Sequence, residues 1–95
     1  MLIHVVMMNL RDPEADADRL AGLLNDLNGQ IPELQSMAAG RNVVASDRAW
    51  DLALVSRFDD LAAMQAYQTH PAHVAVGAQI RAAATELAAV DFDAA

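Results

Sequence analysis

A tyrosine and two of the three histidines stand within seven residues of one another, in Tyr67-Gln68-Thr69-His70-Pro71-Ala72-His73, and His4 is the remaining histidine. Imidazole titrates near neutrality, and beside a phenol hydroxyl it can pass protons to or from a bound substrate. Tyr67 with either His70 or His73 is therefore a candidate for proton transfer, and His4 and His70, with Val6, Met8, Leu52 and Leu54, are candidate binding residues. Each has a structural alternative. His70 can cap a helix end before Pro71, His73 can sit in the first turn of the next helix, and Tyr67 can simply fill the core. His4 shares a strand face with Leu2, Val6 and Met8, so it lies either between helices and sheet or in a chamber on the other side, and alternation does not choose.

Other chemistries are poorly supplied. The chain has no cysteine, which removes disulfides, thiolate nucleophiles and Cys-based zinc sites together. Three imidazoles, from His4, His70 and His73, can in principle leave an open metal position, but no carboxylate stands at a ligand spacing, so no metal is expected. Ser36, Ser46 and Ser56 lie in no Gly-x-Ser-x-Gly turn, there is no glycine-rich phosphate loop, and no cofactor is expected.

The elements that must position these residues can be read from pattern. Leu2 to Leu10 is β-branched and apolar on both alternating faces, and reads as a first strand. Asp12-Pro13 starts a helix, whose stripe of Leu20, Leu23, Leu24, Leu27 and Ile31 ends at Gly29 and Pro32. A second strand is expected over Leu34 to Val44, with Gly40 marking a bulge or a close backbone approach. Ala45 to Arg48 reads as a loop, and a third strand follows over Trp50 to Phe58, with Leu52, Leu54 and Phe58 on one side. Asp59-Asp60 caps a short helix carrying Leu61, Met64 and Tyr67, which must end before Pro71. Val76, Ile80, Ala83 and Leu87 define a third helix, and Val90 to Asp93 a short edge strand. The order βαββααβ is that of an α+β, ferredoxin-like single domain over residues 1–95, an antiparallel four-stranded sheet with helices on one face.

Length and composition then argue for a second copy. The chain has 95 residues, 55% apolar but only 4% aromatic. A domain of this size buries about two-thirds of its unfolded surface or less. Helices cover one face of such a sheet and nothing remains to cover the other, although the first and third strands are apolar on both sides. Pairing two sheets face to face, as a dimeric α/β barrel around a shared apolar chamber, hides that face and offers a hollow for a small hydrophobic ligand. The net charge of −7 and six basic residues, all arginine and nowhere clustered, argue against nucleic acid and anionic membrane. Met1 to Leu10 lacks a basic start and is too short to span a bilayer, so a cytoplasmic location is expected.

Taken in order, Ile3-His4-Val5-Val6, Ile31-Pro32-Glu33-Leu34, Gly40-Arg41-Asn42, Trp50 to Val55 with Phe58, Ala66 to His73 and Val90-Asp91-Phe92-Asp93 resemble the stress-responsive A/B barrel domain (Dabb) family over nearly the whole chain. The run ending in His-Pro-x-His is the most specific of these. The resemblance implies a homodimer of ferredoxin-like subunits with paired sheets and a cavity opening near His4 and the segment from Tyr67 to His73. Some members of that family look like polyketide cyclases that close a ring by intramolecular aldol chemistry; matched by motif, the acid/base pair is Tyr67 and His73, with His4 lining the pocket. Leu52 departs from the pattern, since such cyclases can carry a further histidine there. The expected function is thus a dimeric small-molecule-binding protein with cyclase- or isomerase-like chemistry. The alternatives are a non-enzymatic ligand-binding or stress-associated protein and, further off, a monooxygenase of the same fold.

Overall fold

The computed structural model describes residues 1–94. The β-branched opening forms β1 (Leu2–Leu10), followed by α1 (Pro13–Asn25), β2 (Ser36–Arg41), β3 (Leu52–Phe58), α2 (Leu61–Thr69), α3 (Pro71–Ala83) and β4 (Ala84–Asp93). The strands make one antiparallel sheet in the order β2-β3-β1-β4. Both expected aspartate caps form: Asp12 accepts from the Ala15 amide at 3.2 Å and Asp60 from the Ala63 amide at 2.8 Å. Each satisfies an amide that the first helical turn leaves free, worth about 1 kcal/mol.

Register decides what faces what. His4 stands opposite Ser56 on β3 and Asp91 on β4, so Leu2, His4, Val6 and Met8 share a face with Leu52, Leu54, Ser56 and Phe58. That face carries the helices, and its core includes Met8, Leu52 and Phe58 packed with Leu20 and Leu24 of α1 and Tyr67 of α2. Full burial of each such side chain contributes about 1.5–3 kcal/mol. The opposite face has no helix. Ile3, Val5, Met7, Val55, Val90 and Phe92 alternate onto it, and Phe92 and Val90 remain 46% and 62% exposed.

Several boundaries differ from the sequence reading. The first helix stops at Asn25 rather than near Gly29, and Leu27 and Ile31 are buried from a run of turns. The cause lies in two asparagines. Asn25 exchanges two 2.9 Å hydrogen bonds with the Ala39 backbone, and Asn28 does the same with Met37, so their amides take the place of a further strand along the outer edge of β2. The second strand is six residues long instead of running from Leu34 to Val44, and Val43 is exposed. Gly40 makes neither bulge nor close approach: it pairs in register with Ala53, and a Cβ there would meet nothing within 4 Å. The register shift falls instead between Asn9 and Leu10.

The third helix ends at Ala83, and Leu87 belongs to β4, a ten-residue edge strand rather than a short one. The alanines from 82 onward favour helix by a few tenths of a kcal/mol each. Pairing with β1 from Leu2↔Asp93 to Leu10↔Ala84 outweighs that preference, and Ala84 is already extended at φ −81°, ψ 141°.

Candidate active site

β1 and α3 position the two histidines that matter. In α2, Met64 and Tyr67 are three residues apart and both turn inward. Tyr67 packs against Phe58 with ring centroids 4.9 Å apart and a 54° tilt, and against His73 at 4.5 Å and 53°. Pro71 makes the junction between α2 and α3, because it fixes His70 in an extended conformation at φ −65°, ψ 137° and starts α3 at once. His73 thereby enters the first turn of α3 and folds back on α2.

Between helices and sheet these residues line a cavity of about 150 Å³. Its floor is His4, Val6 and Met8 of β1 with Leu54 and Leu87, and its walls are Tyr67 of α2, Leu24 of α1, and His73, Gly77, Ile80 and Arg81 of α3. The sheet alternation left His4 between two places; the register puts it on the helix side. The candidates therefore gather inside one subunit, in a space other than the hollow expected between paired sheets. The reason is parity: His4 falls on the even side of β1, which the helices cover.

Two expected residues do not join them. His70 is the cap of α3, its Nδ1 accepting from the Ala72 amide at 3.1 Å, which ties the ring to the backbone and away from the cavity wall. A three-histidine metal set is thus not assembled, and among the described residues no group of three His, Asp or Glu is gathered closely enough for one. Leu52 is fully buried one residue pair beyond Leu54, in the core rather than the cavity. A larger depression of about 390 Å³ lies beneath the β2–β3 connection, against Met7, Trp50 and Arg48. It carries no histidine, tyrosine or carboxylate, so the smaller cavity is where proton chemistry is possible.

Protons can be assigned from the partners. His73 Nδ1 lies 2.9 Å from the Gln68 carbonyl oxygen. A carbonyl only accepts, so Nδ1 carries the hydrogen, and in the neutral ring Nε2 is left with its lone pair. Burial lowers the His73 pKa below its ordinary 6.5, the bond to Gln68 opposes that, and the charges of His4 and Arg81 add to the lowering. The ring is a neutral base at neutral pH. Tyr67 behaves in the opposite sense: burial pushes its hydroxyl up to about 12, so it stays a proton donor. Its hydroxyl has no hydrogen-bond partner among the described residues, yet no fully buried side-chain polar atom lacks one. The hydroxyl therefore reaches accessible space, and the space this residue lines is the cavity.

His4 has its own support. Its Nδ1 pairs with the Asp91 carboxylate across the β1–β4 ladder. Ser56, its neighbour on β3, is wholly buried and places its hydroxyl 3.4 Å from the His4 carbonyl. Sequence reading missed Asp91, Gly77 and Arg81. Asp91 stands in Val90-Asp91-Phe92-Asp93, but its partner depends on a cross-strand register that alternation does not supply. Gly77 and Arg81 follow His73 at four-residue spacing, a one-face signal that was present in the sequence.

The family known as the stress responsive A/B barrel domain, Dabb, matches over residues 2–94. The chain belongs to the Dabb family. It is 37% identical to an uncharacterised protein of Streptomyces coelicolor over 79 residues, 79% of this chain and 81% of that one. Among solved structures, a dimeric protein of ferredoxin-like fold from Bacteroides fragilis superposes with a TM-score of 0.87 at 27% identity, covering 98% of this chain and 95% of that one. A dimeric ferredoxin-like protein from Thermobifida fusca does so with a TM-score of 0.87 at 27% identity, covering 98% and 90%. The ferredoxin-like α+β fold read from the sequence is the fold of this Dabb chain. No helix among the described residues is long and apolar enough to cross a membrane.

Proposed function

We propose that this Dabb chain is one subunit of a homodimer whose helix-side cavity binds a small hydrophobic, oxygen-bearing molecule and performs cyclase-like acid/base chemistry on it. The observation that carries this reading is the Tyr67–His73 contact at 4.5 Å, with His73 Nδ1 held by the Gln68 carbonyl and Nε2 left free. On this reading Nε2 removes a proton from a carbon next to a carbonyl, and the electron pair moves onto that carbonyl oxygen to give an enolate. The Tyr67 hydroxyl donates a hydrogen bond to that oxygen. The enolate carbon then bonds to a second carbonyl of the same molecule, and the resulting alkoxide takes back the proton from the His73 imidazolium. No oxidant, metal or further reactant enters the balance. The His4–Asp91 pair orients the substrate from the floor.

Dimerisation is supported by the uncovered face of the sheet and by the dimeric state of the Bacteroides fragilis and Thermobifida fusca proteins. A cytoplasmic location belongs to the same proposal. A second reading, ligand binding without turnover, is favoured by one fact: Nδ1 of every histidine already has a structural partner, in Asp91, Ala72 and Gln68. A panel of linear β-polyketones, followed by liquid chromatography with mass spectrometry for a ring-closed isomer of unchanged mass or the product of its later dehydration, separates the two. Positioned acid/base groups typically supply 10²–10⁴-fold, so Tyr67→Phe and His73→Ala should each lower turnover about 100-fold while the fold stays intact. Unchanged turnover in both variants removes the catalytic assignment.

A further inference from the structure

The chain carries six basic residues against 13 acidic ones, so an anion approaching it at random is repelled. Two depressions are exceptions, the larger one beside Arg48 and Trp50 and the cavity that holds the tyrosine and histidines. None of the side chains that line the cavity is Asp or Glu, and one of them, Arg81, is an arginine. Three of the other arginines are engaged, Arg19 with Asp16 and Gln79, Arg41 with Glu14 and Asp18, and Arg11 with the Ala82 carbonyl. Arg57 reaches only the Met1 sulfur at 3.8 Å, and the Arg48 side chain has no partner among the described residues but lies away from the cavity. Among the described residues Arg81 has neither an ion pair nor a hydrogen bond. Helix geometry aims it. His73, Gly77 and Arg81 follow one another at four-residue spacing on a single face of α3. The missing side chain of Gly77 leaves the path between them open, since a Cβ there would stand 3.4 Å from Arg81 Nη1 and 4.0 Å from His73 Cε1. The guanidinium thus lies back along the helix toward the imidazole, at the rim of the cavity.

We infer that the ligand of this cavity is a small carboxylate, its acid group held by Arg81 at the rim and its apolar body seated against Tyr67, His73 and Leu54. This rests on the cavity being the functional site, as proposed above, and narrows the substrate class from hydrophobic carbonyl compounds in general to those that also carry an acid. A guanidinium fork matches a carboxylate with two parallel N–H···O bonds. Size agrees with one ring or a short acyl chain: a cavity of about 150 Å³ is comparable to one that takes up benzene.

Benzoate and benzamide, equal in shape and different in charge, test the inference by titration calorimetry. In the natural protein benzoate should bind about tenfold more tightly than benzamide, the difference expected for one charge-assisted contact. Arg81→Gln should abolish that preference by weakening benzoate alone, with benzamide affinity serving as the check on folding, and Arg81→Lys should retain part of it. Equal affinities in the natural protein, or a preference that survives Arg81→Gln, overturns the carboxylate assignment while leaving the acid/base reading standing. Failure of both compounds to bind at millimolar concentration overturns the ring-sized ligand and this inference with it. The acid/base reading falls separately, through unchanged turnover in Tyr67→Phe and His73→Ala.

Discussion

At the scale of single residues, the site is two groups whose surroundings push them toward opposite roles. Burial keeps His73 unprotonated and Tyr67 protonated, so between them they present a base and an acid over a wide range of pH. Because the folded pKa of His73 lies below 6.5, the unfolded chain takes up its proton first as pH falls, and stability declines from about pH 6.5 downward. Turnover that needs neutral His73 should rise with pH through a midpoint below 6.5 and then stay level. Tyr67 titrates at about 12 when folded against an ordinary 10, so stability is full below pH 10 and is lost between about pH 10 and 12, by about 2–3 kcal/mol. Urea melts at stepped pH, with Tyr67→Phe as the reference, should show the alkaline loss in the natural protein alone. Of this residue-level picture, the bend at Pro71 was legible, but it left His70 and His73 as equal partners for Tyr67, and the choice of His73 came from the resemblance to Dabb. The part played by His70 was not legible, since a histidine before a proline reads equally well as ligand or cap until its Nδ1 is seen to meet the Ala72 amide.

Among the elements, β2 is the one most dependent on side chains. It is six residues long, lies at the sheet edge and pairs only with β3. Asn25 and Asn28 close its open side, each with one donated and one accepted hydrogen bond. Asn28→Ala removes both bonds from a part-buried place and leaves the Met37 backbone groups to find water, a cost of about 1–2 kcal/mol. Its urea midpoint should fall accordingly with an unchanged m-value, whereas Asn28→Ala with no loss of stability would show that the clamp contributes nothing. The same two residues explain why the first helix was read too long. Leu27 and Ile31 continue the apolar spacing and are buried, so the hydrophobic signal was right about burial and wrong about conformation. At the other end of the chain, alanine-rich sequence read as helix is strand because β1 has a free edge that only β4 can fill. In both places a long-range partner overrides local preference, and a partner is what pattern within one segment does not reveal.

For the whole molecule, the proposed function gives the sheet two tasks. Its helix-covered side holds the cavity with His4, Tyr67 and His73, and its bare side offers apolar strands for a second copy. The two-sided apolar character of β1 and β3 made the bare face legible from sequence, but the side on which the histidines lie depended on register. Val55, at 39% exposure, stands on β3 in the middle of that bare face. An aspartate there would be buried unpaired in the proposed dimer, at a cost of several kcal/mol. Val55→Asp should therefore sediment as a monomer at concentrations where the natural protein sediments as a dimer; a dimer in both would place the interface elsewhere. The division itself is tested most directly by ring-labelled NMR, because Tyr67 is the sole tyrosine and Trp50 the sole tryptophan of the chain. Titrating the protein with benzamide should move the Tyr67 and His73 ring signals together, to one saturation curve, while those of Phe92 and Trp50 stay in place. Saturable shifts of Phe92 and Trp50, with Tyr67 and His73 unmoved, would contradict it and return the ligand to the space between the sheets.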